Sequence, residues 1–340
     1  MVSAVSLFSG SLASLVATKL VMAERGVDEV KLLHFRSPFF RDYEQSRDLA
    51  SAHLTNKNFR SQSIKKDLNG VAQLTADGTY SLSTGCFNCR QLMLRKAVRY
   101  MKKMGADFIV TGEIVGERRL HEKEVLSLTE EAEATGLVLR PLSAKLLPET
   151  IAEQEGWVRR AHLKAFRSSD GEKLRRLAKE MGIDTEGFPA TKRCKLTWPH
   201  FGERLEDLLR ENELTLNSLE LLEFPLYYKQ PPDVKIVIAR DDEEKRRLQN
   251  VFLPEDLRLY MPVPKGSMAL VRANWREKTP LEIESTIELA ARVAVTHSRQ
   301  PVTGRVPAHY RFENGQETLR IHVSPFQSEK ELEKFSLRLV

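Results

Sequence analysis

The sequence predicts an α/β protein, with a parallel sheet that has helices on both faces, followed by a smaller α+β domain. Two patterns near the start and a change of pattern further on carry this expectation. Residues 2–8 (VSAVSLF) are a short apolar run broken by Ser9 and Gly10, and Leu12 to Arg25 then repeats apolar residues at helical spacing before Gly26. A second apolar run, KLLHF (31–35), follows at once. Strand, tight turn, helix and strand make a βαβ unit, which requires parallel strands and places a ligand at its first turn. Beyond about residue 225 the order becomes strand, helix, strand, strand, long helix and hairpin, which is α+β.

The remaining elements follow from the same patterns. A helix is expected over 41–57, polar irregular chain with short strands over 58–84, a helix from Cys89 to Lys103 ended by Gly105, and a buried strand in ADFIVTGE (106–113). Helical patterns over 119–134, 149–155, 161–167, 171–181 and 201–212 come next, with LVLRPLS as a strand leading into a loop. FPLYYKQPPDVK carries prolines 225, 231 and 232 and reads as a linker. The expected domains are therefore 1–215 and 234–340, joined by 216–233. In the second, VKIVIA, LRLYMP and SMALVRA are strands, DDEEKRRLQNVF is a helix, Pro280 to Ser298 is a long helix, and Glu313-Asn314-Gly315 turns a hairpin.

A length of 340 residues calls for more than one domain. No apolar run approaches the roughly 20 residues that span a bilayer, and the start reaches glycine and serine too early for a secretory signal. The expectation is a cytoplasmic protein with no membrane association. Three cysteines do not make a disulfide framework, so free, catalytic or metal-bound thiols are expected. The net charge of +6 is compatible with RNA as a partner.

The turn Ser9-Gly10-Ser11-Leu12-Ala13-Ser14 puts backbone N–H groups and hydroxyls at the positive end of a helix, where phosphate is held. It resembles the PP-loop, Ser-Gly-Gly-x-Asp-Ser, of ATP pyrophosphatases of the adenine nucleotide alpha hydrolase type. Ser9, Gly10 and Ser14 match it. Ser11 stands in place of the second glycine, and Ala13 in place of an aspartate that helps to hold Mg²⁺. No GxxxxGK[ST] or GxGxxG occurs.

Cys86 and Cys89 form GCFNC at a helix start, a spacing open to a redox pair, half a zinc site or two ligands of an iron–sulfur cluster. Cys194 supplies a third sulfur from a distant loop, and a zinc site would want a fourth ligand, for which His200 is available. Lys192 and Arg193 beside Cys194 favour a thiolate or face an RNA phosphate. The segment GCFNCRQLMLRKAVRYMKKMGADFIVTGEIVGER resembles the PP-loop family of tRNA 4-thiouridine synthetases and 2-thiouridylases, in which a CxxC opens a helix and the next strand ends in Thr-Gly-Glu, here Thr111, Gly112 and Glu113. LRPLSAKLLPET (139–150) fits too, and the likeness runs over about residues 1–215.

This resemblance implies ATP-dependent adenylation of a tRNA uridine, with Mg²⁺, followed by sulfur transfer from sulfide or a persulfide carrier. Ser9, Gly10, Ser11, Ser14, Thr111, Gly112 and Glu113 would bind the nucleotide. Cys86, Cys89 and Cys194 would be catalytic, or hold a [4Fe–4S] cluster. Ala13 leaves a second reading, a PP-loop paralogue that no longer adenylates and acts as an RNA-binding or sulfur-handling partner. Residues 234–323 resemble the RNA-binding R domain of NFACT proteins through KIVIARDDEEKRRLQ, GSMALVRA, ELAARVAVTHSRQ and VPAHYRF. Arg272, Arg276, Lys278, His297, Arg299 and Arg305 are its candidate RNA contacts, with Trp275 and Tyr310 available for stacking.

Overall fold

A computed structural model of the chain describes residues 1–340 except 41–42, 55–58, 66, 68–72, 75–79, 82–84, 187, 189–193, 212–213, 300–302, 335–337 and 340. It divides into two compact units, Met1–Trp198 and Pro199–Val340.

In the first unit the order is β1 (Ser3–Leu7), α1 (Leu12–Met22), β2 (Glu29–Arg36), α2 (Tyr43–His53), β3 (Phe59–Ser63), a small pair β4 (Gln73–Leu74) and β5 (Tyr80–Ser81), α3 (Gly85–Met104), β6 (Phe108–Thr111), α4 (Glu122–Glu131), β7 (Val138–Leu139), α5 (Ile151–Gln154) and α6 (Gly171–Glu180). Five strands form one parallel sheet in the order β3-β2-β1-β6-β7. The chain builds outward from β1 to β2 and β3 on one side and to β6 and β7 on the other. The strand order therefore reverses between β1 and β6, and sheets of this type bind ligands there, beyond the carboxyl ends of the strands.

Side-chain alternation gives the sheet two apolar faces. Ala4, Phe108 and Val110 join a core with Leu12, Leu15, Val16, Leu174 and Ala178 of α1 and α6, while Val5 and Ile109 point the opposite way. Helix α1 is buried on nearly all sides, which its alternation-free sequence LASLVATKLVM allows. Its buried Thr18 hydroxyl meets Ser6 Oγ of β1 at 2.7 Å and Ser14 O of its own helix at 2.6 Å.

One expected helix is absent. Residues 161–167 hold only a short 3-10 turn, Arg160–His162, after which the chain extends. The reason is tertiary: Lys164 N donates to Pro141 O and Phe166 N to Leu142 O, so this segment pairs with the 141–145 loop instead of coiling on itself.

In the second unit α7 (Pro199–Arg210), α8 (Leu216–Leu221), β8 (Leu226–Gln230), β9 (Val234–Ala239), α9 (Asp242–Gln249), β10 (Leu257–Tyr260), β11 (Met268–Arg272), α10 (Pro280–Thr296), β12 (Val306–Phe312), β13 (Leu319–Val323), α11 (Glu329–Lys334) and β14 (Arg338–Leu339) form a separate fold. Its sheet is antiparallel, ordered β13-β12-β10-β11-β9-β8-β14. Ile236, Ile238, Leu257, Leu259, Ala269 and Val271 share a core with Ile287, Ala290, Ala291 and Ala294 of α10. The stretch 216–233, expected as a linker, instead contributes α8 and β8. Tyr227 and Tyr228 are buried, and β8 pairs with β9 along its whole length, so the prolines bound a strand without excluding one. The first unit also ends earlier than the expected boundary at 215, because α7 belongs to the second. Among the described residues no helix is long and apolar enough to cross a membrane.

Candidate functional site

The turn between β1 and α1 is held by its own serines. Ser11 caps α1, its Oγ accepting from Ser14 N at 3.2 Å. Ser9 Oγ lies 3.0 Å from Ser11 Oγ and 3.3 Å from Ser14 Oγ, and Ser14 Oγ donates to Ser11 O at 2.9 Å. Gly10 has φ +73°, and a Cβ there would stand 2.4 Å from Ser46 Oγ of α2, which itself donates to Ser9 O. Only glycine satisfies both the left-handed backbone and the close helix.

The carboxyl end of β6 abuts this turn. A Cβ on Gly112 would meet Ser14 N and Cα at 2.5 Å, so the Thr111-Gly112-Glu113 strand end and the serine turn share one wall. Glu113 turns toward two arginines, with Arg140 Nε 2.9 Å from Oε2 and Arg90 Nη1 3.2 Å from Oε1. Burial pushes this carboxyl up, but Arg140 and Arg90 outweigh it and hold it below the usual carboxylate range. Glu117 shows the opposite balance: burial raises it against the pull of Arg90 and Arg118. Arg118 sits at φ 53°, an uncommon conformation for a side-chain-bearing residue, in the turn begun by Gly116.

One pocket at the strand-order reversal is lined by Ser9, Ser11, Ser14, Thr111, Gly112, Glu113 and Cys194, which brings seven expected site residues together. Ala13 lines it as well. Pattern reading missed His34, Arg90, Glu117 and Arg118. Arg90 had a signal, since it directly follows Cys89. His34 had only its place near the end of a central strand, and its Nδ1 lies 2.9 Å from Phe8 O, which makes that nitrogen the donor.

The three cysteines are free. Cys89 is 4% exposed and Cys194 7% exposed, whereas Cys86 is half-buried. Burial first, then the neighbouring Cys194 and Cys86, push the Cys89 thiol up to about 12, and burial raises Cys194. Lys192 and Arg193, expected to favour a Cys194 thiolate, lie outside the described residues. Among the described residues no group of three His, Cys, Asp or Glu side chains could hold a metal ion. His200 falls in the second unit. The three thiols are nevertheless electrostatic neighbours of one another, with Arg90 and Arg118 close by to offset negative charge. Access and thiolate fraction together set thiol reactivity, and burial lowers both for Cys89 and Cys194. Brief alkylation followed by peptide mass spectrometry is expected to label Cys86 first, and Cys89 and Cys194 only once the chain is unfolded.

In the second unit the expected RNA contacts are mostly engaged within the domain. Arg272 pairs with Asp256 at 2.6 Å, Arg276 with Glu255 at 2.7 Å, Lys278 with Asp233 at 2.8 Å and Arg299 with Asp241 at 2.9 Å. His297 bonds Tyr228, and Arg305 donates to His322 O. Trp275 packs edge-on against Phe312, with ring centroids 5.2 Å apart, and Tyr310 packs against the core.

Parallel sheet, flanking helices and a serine-glycine turn at the strand-order reversal define the first unit as a PP-loop-type fold. Residues 2–149 match the family described as thiamine biosynthesis protein (ThiI), and residues 227–336 match the NFACT protein RNA binding domain. No curated protein matches the chain. Similar solved structures include a predicted subunit of tRNA methyltransferase from Methanocaldococcus jannaschii, 12% identical, covering 56% of this chain and 94% of its own, with a TM-score of 0.29. The C-terminal part of the fibronectin/fibrinogen-binding protein from Streptococcus suis is 10% identical and covers 72% of this chain and 96% of its own, at a TM-score of 0.27. The U34-tRNA thiolase NcsA from Methanococcus maripaludis, solved with its [4Fe–4S] cluster, is 15% identical and covers 57% and 78%, at 0.24. These three are distant likenesses.

Proposed function

We propose that this chain makes thiouridine in tRNA. A uridine carbonyl oxygen, at C2 or C4, attacks the α-phosphorus of ATP and pyrophosphate leaves. Sulfide then attacks the activated ring carbon, and AMP departs with the original oxygen. The adenylation step is needed because a carbonyl oxygen is a poor leaving group. The observation that carries this reading is the single pocket shared by the serine turn, the Thr111-Gly112-Glu113 strand end and Cys194. Ser9, Gly10, Ser11 and Ser14 hold phosphate, Thr111, Gly112 and Glu113 form the nucleotide wall, and Arg90 and Arg118 supply positive charge. Mg²⁺ is carried chiefly by the phosphates, since Ala13 offers no carboxylate. Cys86, Cys89 and Cys194 would hold the cluster, whose fourth iron can bind sulfide, or carry sulfur themselves. The RNA-binding match of the second unit favours RNA over a small-molecule substrate.

A second reading is favoured by Ala13, which lines the pocket where the PP-loop aspartate stands. In that reading the chain binds RNA or handles sulfur without adenylation. Pyrophosphate release from ATP in the presence of tRNA separates the two. We expect release with the natural chain, loss of one thiouridine from the tRNA of a strain lacking it, and, for Cys194→Ser, retained ATP binding with no thiolation. Absence of both ATP-analogue binding and pyrophosphate release would leave the partner reading. Iron and sulfide assays after anaerobic purification test the cluster, and a colourless, iron-free protein removes it.

A further inference from the structure

The expected RNA contacts in the second unit are taken up by ion pairs, yet the same unit carries cations that are not. Strand register places them on one face of the sheet. Arg258 of β10 lies directly opposite Arg311 of β12, and two residues further along, Tyr260, His309 and Arg320 form a row across β10, β12 and β13. Pro307 and His322 make the next row. The alternate residues of these strands, Leu257, Leu259, Ala308 and Val323, enter the core with α10, so the cationic set occupies the opposite face.

Two arginines directly opposite across antiparallel strands repel one another. Glu313 relieves one of them, bonding Arg258 at 2.6 and 3.1 Å. Among the described residues the Arg311 and Arg320 side chains make no ion pair or hydrogen bond, and Arg320 and His322 are exposed while Arg311 is half-buried. Beside them Tyr260 and His309 meet edge to face at 82°, with centroids 5.5 Å apart. An arginine with no counterion of its own, set opposite another arginine, gives nothing to folding. It suits a polyanion, and the adjoining aromatic rings suit bases.

We infer that this face of β10, β12 and β13, centred on Arg311, Arg320, Tyr260 and His309, is the surface on which the second unit binds RNA, the arginines taking phosphates and the rings stacking on unpaired bases. The inference deepens the proposed function, resting on its RNA-binding unit and not on the chemistry of the first unit.

The test titrates the full chain with labelled tRNA and labelled single-stranded RNA at several salt concentrations. Arg311→Ala/Arg320→Ala should weaken binding roughly tenfold or more and lower the slope of log K against log salt by about 1.4, at about 0.7 per lost phosphate contact. Arg276→Ala/Arg299→Ala should change neither. The unfolding midpoint of the first variant should stay level or rise, since a repulsion is removed. Arg311→Lys/Arg320→Lys, which keeps the charge, should retain most of the affinity and guards against a folding artefact. The inference is overturned if the double alanine variant binds RNA like the natural chain, if the Arg276/Arg299 variant is the one that loses binding, or if the chain binds an acidic protein and no RNA. Loss of thiolation with this binding intact would count against the chemistry of the first unit and leave the surface standing.

Discussion

Gly112→Ala is expected to destabilise the first unit by about 3 kcal/mol or more, the range of core overpacking at its upper end. The added Cβ would meet backbone atoms of Ser14 at 2.5 Å and of Ala13 at 2.7 Å. Backbone cannot swing aside as the end of a flexible side chain can, so β6 and the start of α1 must separate, and the serine turn moves with them. Urea unfolding should show a lower midpoint at unchanged slope, and any ATP-analogue binding should weaken as well. Gly171→Ala is the matching control. It has open space around it and no left-handed φ, and lies at the start of α6, so a change within about 1 kcal/mol is expected. Equal effects from the two substitutions would contradict the close approach at Gly112.

Arg140→Met is expected to cost about 3 kcal/mol, the lower end for breaking a buried ion pair, since Arg90 still faces Glu113 at 3.2 Å. Arg140 is 3% exposed and holds Glu113 at 2.9 Å. The pH dependence should also weaken. In the natural chain the Glu113 pKa is held low, so its contribution is complete above the ordinary carboxylate range, near 4.3, and fades as pH falls through the lower folded value. Without Arg140, only Arg90 and the Thr111 hydroxyl oppose burial, and the folded pKa rises toward the unfolded one. Less stability is then lost on acidification than in the natural chain. Glu113→Gln in the Arg140→Met background should recover much of the loss and remove the pH dependence. Stability measured from neutral pH down through the carboxylate range checks all three, and a flat difference between natural and Met chains would refute the assignment.

The first sheet was readable because its information is local. An apolar run, a serine-glycine break and helical spacing specify β1, the turn and α1 whatever surrounds them, and the glycines at 10 and 112 mark close approaches that the fold realises. The 161–167 segment was not readable, because its backbone is claimed by Pro141 and Leu142, which spacing cannot register. Strand β8 was hidden by prolines that bound it. The pairing of the expected RNA contacts was hidden for a related reason. Arg272, Arg276 and Lys278 look like free cations until Asp256, Glu255 and Asp233 arrive from elsewhere in the chain, whereas the placing of Arg311 opposite Arg258 depends on a register no composition encodes.

The hydroxyls of Ser9, Ser11 and Ser14 already bond to one another and to the backbone of the turn. A phosphate entering there exchanges existing hydrogen bonds for new ones, and so gains little net enthalpy from the serines. What the surroundings add is positive charge, from Arg90, Arg118 and the positive end of α1. Anion affinity at this turn should therefore be screened by added salt more than it is weakened by trimming any one hydroxyl. The serines act as a rigid mould whose shape is set in advance, and the arginines supply the attraction that fills it.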